Sequence, residues 1–353
     1  MQITELLTPH YEVAWLPWAV QYFFLVGVAT GAALLVSVCA FGQRGSAMQR
    51  LLPVAVLTLA VSTLAAPVSL LADLHQPARF WHFYAHFTPW SWMSRGAVLL
   101  PLFVVIALAF CAAWWLGKTR WMRGLVPLLL LSALSITVYS GAELMVIRAR
   151  PLWNTLWVPV NLALTGWLAA VGVMLVVERF LPAKLRPDAS ALQVLRSIGL
   201  GVAGLLLLVV LAWALSGVLG WSPSFNEALR LFSEFPVWRM TMLGSAVFGA
   251  VVVGALLRGR QRLNASGYTL VLGLGLAAGA LALQTEPLFL VQAVLAASIG
   301  VTAVLARAVL GAVLDRRDTA ALVVLGAGLL LMAASARTGP AVHGGALAGL
   351  VLL

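Results

Sequence analysis

Along its length the chain repeats one pattern, an apolar run of about 20 residues followed by a short polar break. Runs of this length cross a bilayer as helices. They predict spans at 17–41, 51–73, 93–116, 122–147, 154–180, 193–219, 237–257, 266–285 and 287–310, with a shorter tenth at 319–335. Lipid offers no partner to open backbone, and the runs are too long for barrel strands. The expected fold class is therefore all-α, a polytopic transmembrane helix bundle of nine to ten spans.

Composition sharpens this reading. The chain is 62% hydrophobic and only 9% charged, which excludes a soluble two-domain protein despite its 353 residues. A net charge of +11 would suggest nucleic acid in a soluble chain, but here the basic residues sit between the apolar runs and act as topology determinants, so no nucleic-acid partner is expected. Fifteen basic residues fall in one set of alternate connections, among them Arg44, Arg50, Lys118, Arg179, Arg186 and Arg258, against seven in the other, Arg79, Arg95, Arg148, Arg150, Arg230, Arg239 and Arg337. The positive-inside rule then puts the N-terminus outside. Residues 1–16 hold no Lys or Arg, so the first span is expected to be a true helix and not a cleaved leader. Cys39 and Cys111 fall within spans and read as small apolar residues, not as a disulfide or metal site.

Ionisable groups inside a span are costly, and the first half of the chain gathers a small set of them. Span two ends at Asp73, followed by Leu74, His75, Gln76, Pro77 and Arg79. Span four carries Tyr139, Ser140 and Glu143 before Arg148; Tyr139 and Glu143, four apart, share a helix face. Span one places Gln21 and Tyr22 in its first turns. Alternating topology brings all of these toward the outer surface. The connection from Leu74 to Trp92 is long and aromatic, with His75, His82 and His86, and suits either a docking surface or an interfacial aromatic belt. The connection from Gly220 to Pro236, carrying two carboxylates, is also expected outside.

Such a pocket fits quinol oxidation. A quinol presents two opposed oxygens and releases two protons, so it needs a hydrogen-bond partner at each end and a proton acceptor. Tyr139 is the expected donor, His75 or Asp73 the partner at the far oxygen, and Glu143 the proton acceptor. Each residue also has a purely structural reading: an Asp73–Arg79 helix-end pair, a Glu143 pair with Arg148 or Arg79, or an ordinary buried Tyr139. A haem would need axial histidines projecting from spans, and no span offers such a pair, so neither haem nor another metal is expected in this chain. The second half places its charges at span ends, lacks the paired midplane polar groups of a secondary transporter, and reads as an accessory bundle. The whole chain, 1–353, is expected to be one integral membrane domain, with 1–190 carrying the quinol-site helices and outer loop and 191–353 the accessory helices.

Three segments carry a family resemblance: Trp15 to Leu35 (WLPWAVQYFFLVGVATGAALL), Asp73 to Phe103 (DLHQPARFWHFYAHFTPWSWMSRGAVLLPLF) and Tyr139 to Trp153 (YSGAELMVIRARPLW). They resemble the NrfD-like (polysulfide reductase membrane subunit) family, and within it the tetrathionate reductase membrane subunits. The resemblance covers the first 160 or so residues. It implies a haem-free anchor in the bacterial inner membrane that takes electrons from menaquinol or ubiquinol. It also implies a ferredoxin-like iron–sulfur subunit docked on the outer face and a molybdopterin catalytic subunit beyond it. Tyr139 matches the tyrosine that the family associates with its quinone site, and Gln21 is carried over more weakly beside it; from the reading of the residues, His75 and Arg79 complete the expected quinone-binding set with them. On this reading the chain oxidises quinol only together with its partners. The alternatives are an anchor for another polysulfide or oxyanion reductase, and a membrane transporter.

Overall fold

The computed structural model describes residues 17–43, 45–74 and 76–236, together with positions 239 and 243. The spans expected at 266–285, 287–310 and 319–335 lie outside the described residues, as do all but two positions of the one at 237–257. The described residues form helices α1 (Pro17–Phe41), α2 (Leu52–Asp73), α3 (His82–Ala85), α4 (Trp92–Trp115), α5 (Thr119–Met145), α6 (Trp157–Val177), α7 (Ala189–Val218) and α8 (Pro223–Glu234), with three short 3-10 turns and no strand. Six of these helices are long and apolar enough to cross a membrane. Each falls within a few residues of an expected span.

Helix α1 is the axis of the bundle and packs against α2, α5 and α6. Small residues make this possible. A Cβ on Gly27 would sit 2.9 Å from the Gly166 Cα, and one on Gly31 would sit 3.0 Å from the Trp167 Cα, so α1 and α6 cross backbone to backbone. Between membrane helices, where water gives no hydrophobic push, such close approach supplies the dispersion contacts that hold a pair together. The buried core continues through Leu59, Phe103, Phe110, Leu129 and Met174. Outward-facing side chains stay apolar, as lipid requires: Val98, Leu102 and Val105 on α4, and Leu207, Leu208 and Leu211 on α7, are all exposed.

Side-chain clasps close both ends of the bundle. At the end where α1 begins, the Ala19 N–H donates to Asp73 Oδ1 at 3.1 Å. At the opposite end Arg50 Nε meets Asp188 Oδ1 at 3.0 Å and its guanidinium also donates to Ser190 Oγ. Asp188 is the N-cap of α7, accepting from the Ala191 N–H. That cap explains why α7 begins at Ala189 and not near 193 as the apolar run alone suggested.

The stretch from Gly220 to Pro236, expected as an irregular connection, instead contains α8. Pro223 opens the helix, Ala228 and Leu231 are buried on one face, and Arg230 bridges Glu227 and Glu234, each at 2.6 Å. The Trp213 indole N–H donates to Ser224 Oγ at 2.9 Å, and Phe225 fills the space beside Gly217, so α8 folds back on the end of α7.

Candidate functional site

At the end where α1 begins lies a cavity of about 290 Å³, walled by α2 and α4 and closed by Tyr22 of α1, the α5 pair Tyr139 and Glu143, and the aromatics Phe80, Phe83 and Tyr84 of the connecting loop. It exists because α2 packs chiefly on α1 while α4 packs chiefly on α5, leaving a gap between the two pairs. Leu70, Leu71, Leu100 and Val104 make most of the wall apolar.

Its polar groups gather at one side. One helical turn sets Tyr139 and Glu143 on the same face of α5, and the Tyr139 phenol donates to the Glu143 carboxyl. Tyr22 stands beside both, brought there by the first turns of α1, and is buried like Tyr139. The phenol of Tyr139 lies against α4 at Gly96, where an added Cβ would overlap the hydroxyl oxygen and the ring. Prolines interrupt both walls, Pro67 in α2 and Pro101 in α4. Proline has no N–H, so Pro101 leaves the carbonyl of Ala97, one turn earlier on the same wall, without its usual helical donor.

The entrance is pinned. Ser94 accepts from the Thr88 N–H at 3.3 Å and shares a 2.9 Å hydrogen bond with its hydroxyl, Arg95 Nε donates to the Pro89 carbonyl at 2.7 Å, and the Arg95 guanidinium lies over the Trp92 ring. These contacts fix the first turn of α4 and hence the register of Gly96.

Of the residues singled out in the sequence, the structure brings Tyr139, Glu143 and Tyr22 into the cavity wall. Gln21 is buried beside them in sequence but does not line the cavity, and its Oε1 has no hydrogen-bond partner among the described residues. Asp73 does not line the cavity either; it caps α1. Arg79 is exposed in the 3-10 turn Pro77–Arg79, next to the cavity residue Phe80. His75 lies outside the described residues, and His82 and His86 are exposed on α3 and just beyond it, their rings stacked edge-on at 5.9 Å. The loop aromatics, read from the sequence as a docking face or an interfacial belt, thus also wall the cavity. Gly96, Pro67 and Pro101 went unnoticed; the two prolines inside apolar runs were the signal available.

The family pattern "Polysulphide reductase, NrfD" matches residues 6–272, most of the chain. The chain belongs to the NrfD family. It is 39% identical over 191 residues to a tetrathionate reductase subunit of Salmonella typhimurium (strain LT2), a match covering 50% of this chain and 53% of that protein. It is 24% identical over 204 residues to "Protein NrfD" of Escherichia coli (strain K12), covering 49% of this chain and 63% of the relative. The matched part thus spans between half and two thirds of either relative. With six helices among the described residues long and apolar enough to cross a membrane, this member of a family of reductase membrane subunits is a polytopic membrane protein.

Proposed function

We propose that the cavity binds a lipid-dissolved quinol and that the chain is the quinol-oxidising membrane anchor of a tetrathionate reductase-type complex. The observation that carries this reading is the Tyr139–Glu143 pair, a donor and a proton acceptor held together in an otherwise apolar cavity of a family member. A quinol is amphipathic in the same way. Its hydroxyls need polar partners, and the rest of the molecule needs an apolar slot open toward lipid.

Oxidation removes two electrons and two protons. The Tyr139 hydroxyl positions one quinol oxygen and Glu143 takes the proton released there, which the Tyr139–Glu143 hydrogen bond passes along. At the far oxygen the cavity offers Tyr84 and the carbonyl of Ala97 as hydrogen-bond partners, and the second proton leaves from that side to water at the exposed loop. Asp73 serves this chemistry indirectly, by holding the start of α1 and therefore Tyr22. The electrons leave to an iron–sulfur subunit docked at the aromatic loop, and from there to a molybdopterin subunit where the acceptor is reduced. The charge bias between connections supports a periplasmic position for this end in a bacterial inner membrane. With protons released and electrons kept on the same face, the reaction itself moves no net charge across the membrane.

Tetrathionate as acceptor is supported by the 39% identity to the Salmonella protein. The test compares tetrathionate reduction by membranes with and without this chain, driven either by quinol or by a soluble reducing dye. Loss of quinol-driven turnover with dye-driven turnover intact is expected. Survival of quinol-driven turnover overturns the anchor reading, and failure of both donors in complete membranes overturns the acceptor.

A further inference from the structure

We propose that Gly96 is a positioning residue for the quinol site: the bare backbone of α4 forms the notch that seats the Tyr139 hydroxyl. This rests on the quinol reading above and deepens it. Glycine is frequent in membrane helices, so what distinguishes one of them is what occupies the space beside it. Other helical glycines of this chain, Gly124, Gly172, Gly201 and Gly204, have open space where a Cβ would go. At Gly96 that space is occupied by the hydroxyl oxygen, Cζ and Cε2 of Tyr139. The group filling the notch is therefore the polar end of the side chain that hydrogen-bonds to Glu143 within the cavity wall.

Contacts on both sides keep the notch in place. On the α4 side, Thr88 and Pro89 hold Ser94 and Arg95, the two residues before Gly96. On the α5 side, Gly141, two residues beyond Tyr139, packs directly on Pro159 of α6, where an added Cβ would overlap the proline ring. The phenol can neither slide along α4 nor swing away with α5 without breaking one of these contacts. A methyl group at position 96 would force the ring off α4 and carry the hydroxyl away from Glu143 and from the substrate oxygen.

The test measures decylubiquinone binding to the purified full chain in detergent, followed by quenching of intrinsic tryptophan fluorescence. Tyr139→Phe and Gly96→Ala are each expected to raise Kd about tenfold, the worth of one hydrogen bond to the ligand. Because the Cζ and Cε2 that would meet the added methyl persist in phenylalanine, the double variant is built on Tyr139→Ala, and Gly96→Ala is expected to weaken that variant no further. Gly124→Ala serves as the neutral control. Wild-type affinity in Gly96→Ala overturns the proposal, as does a double variant weakened by the full product of the two factors. Wild-type affinity in Tyr139→Phe overturns the quinol reading itself, a result distinct from failure at Gly96 alone. Should Gly96→Ala not fold, Ser94→Ala loosens the same turn without adding bulk. Its weakening is expected in the wild-type background and absent in Tyr139→Phe, and equal weakening in both overturns the proposal.

Discussion

Asp73 Oδ1 receives the Ala19 N–H at 3.1 Å, so the last residue of α2 caps the first turn of α1. On the proposed reading Asp73 is therefore a structural carboxylate and Glu143 a chemical one. Asp73→Ala is expected to lower stability by about 1 kcal/mol, the usual worth of an N-terminal cap, with quinol-driven turnover falling in proportion to folded protein. Asp73→Asn keeps an acceptor oxygen and is expected to retain both. Thermal melting of the purified chain beside turnover per folded molecule checks this, and an inactive but normally stable Asp73→Asn would return the residue to the chemistry.

Glu143 and Tyr139 are expected to behave differently from Asp73. Glu143→Gln removes the proton acceptor and is expected to lower quinol-driven kcat by about 100-fold or more, the range for loss of a general base. Tyr139→Phe removes a hydrogen bond to substrate and also the link that passes the proton to Glu143, so it is expected to lower kcat by a similar factor and to weaken quinol binding about tenfold besides. Dye-driven turnover should be unchanged in both, since neither residue serves the partner subunits.

The α1–α6 crossing predicts a contrast between glycines. Gly27→Ala and Gly166→Ala each place a methyl group within 3 Å of the opposite backbone, and are expected to destabilise the bundle by about 1–3 kcal/mol. Gly172→Ala, on the same α6 but facing open space, is expected to be neutral or slightly stabilising. Melting of the three variants in one detergent decides it.

At the opposite end, Asp188 has a carboxyl held below its ordinary range, first by the Ser190 hydroxyl, then by the Ala191 N–H and Arg50. A carboxylate depressed in the folded state adds stability that is fully present above the unfolded carboxyl pKa, near 4, and is lost as pH falls through the lower folded value. The difference in melting temperature between wild type and Asp188→Asn is therefore expected to be constant from pH 7 down to about 4 and to shrink below it. A difference that grows on acidification would show the sign to be wrong.

The first six spans were legible because lipid allows little else: a run from Pro17 to Phe41 with no charge in it has one stable conformation in a bilayer. The Tyr139–Glu143 pair was legible for a similar reason, since a spacing of four fixes a shared face whatever the tertiary structure. What the sequence hid depends on register between helices. The Ala19–Asp73 cap joins positions 54 residues apart, and nothing local to Asp73 distinguishes a cap from a catalytic carboxylate. Gly96 reads in sequence as one more small packing residue until Tyr139 is placed across from it. The helix α8 was obscured because it is short and polar over half its surface, and Glu227 and Glu234 drew it toward a loop reading although Arg230 sits between them at helical spacing.

Phe80 and Tyr84 are about half exposed, yet both wall the cavity. On the proposed reading, the loop that carries them stands between the bound quinol and a partner docked outside. A redox centre seated on its far side then needs no conduit through the bundle: electrons tunnel across the aromatic wall, and the substrate enters and leaves its slot from the lipid. The anchor then works as a window between two phases, with the thickness of the pane, set by aromatic side chains, governing the rate of transfer.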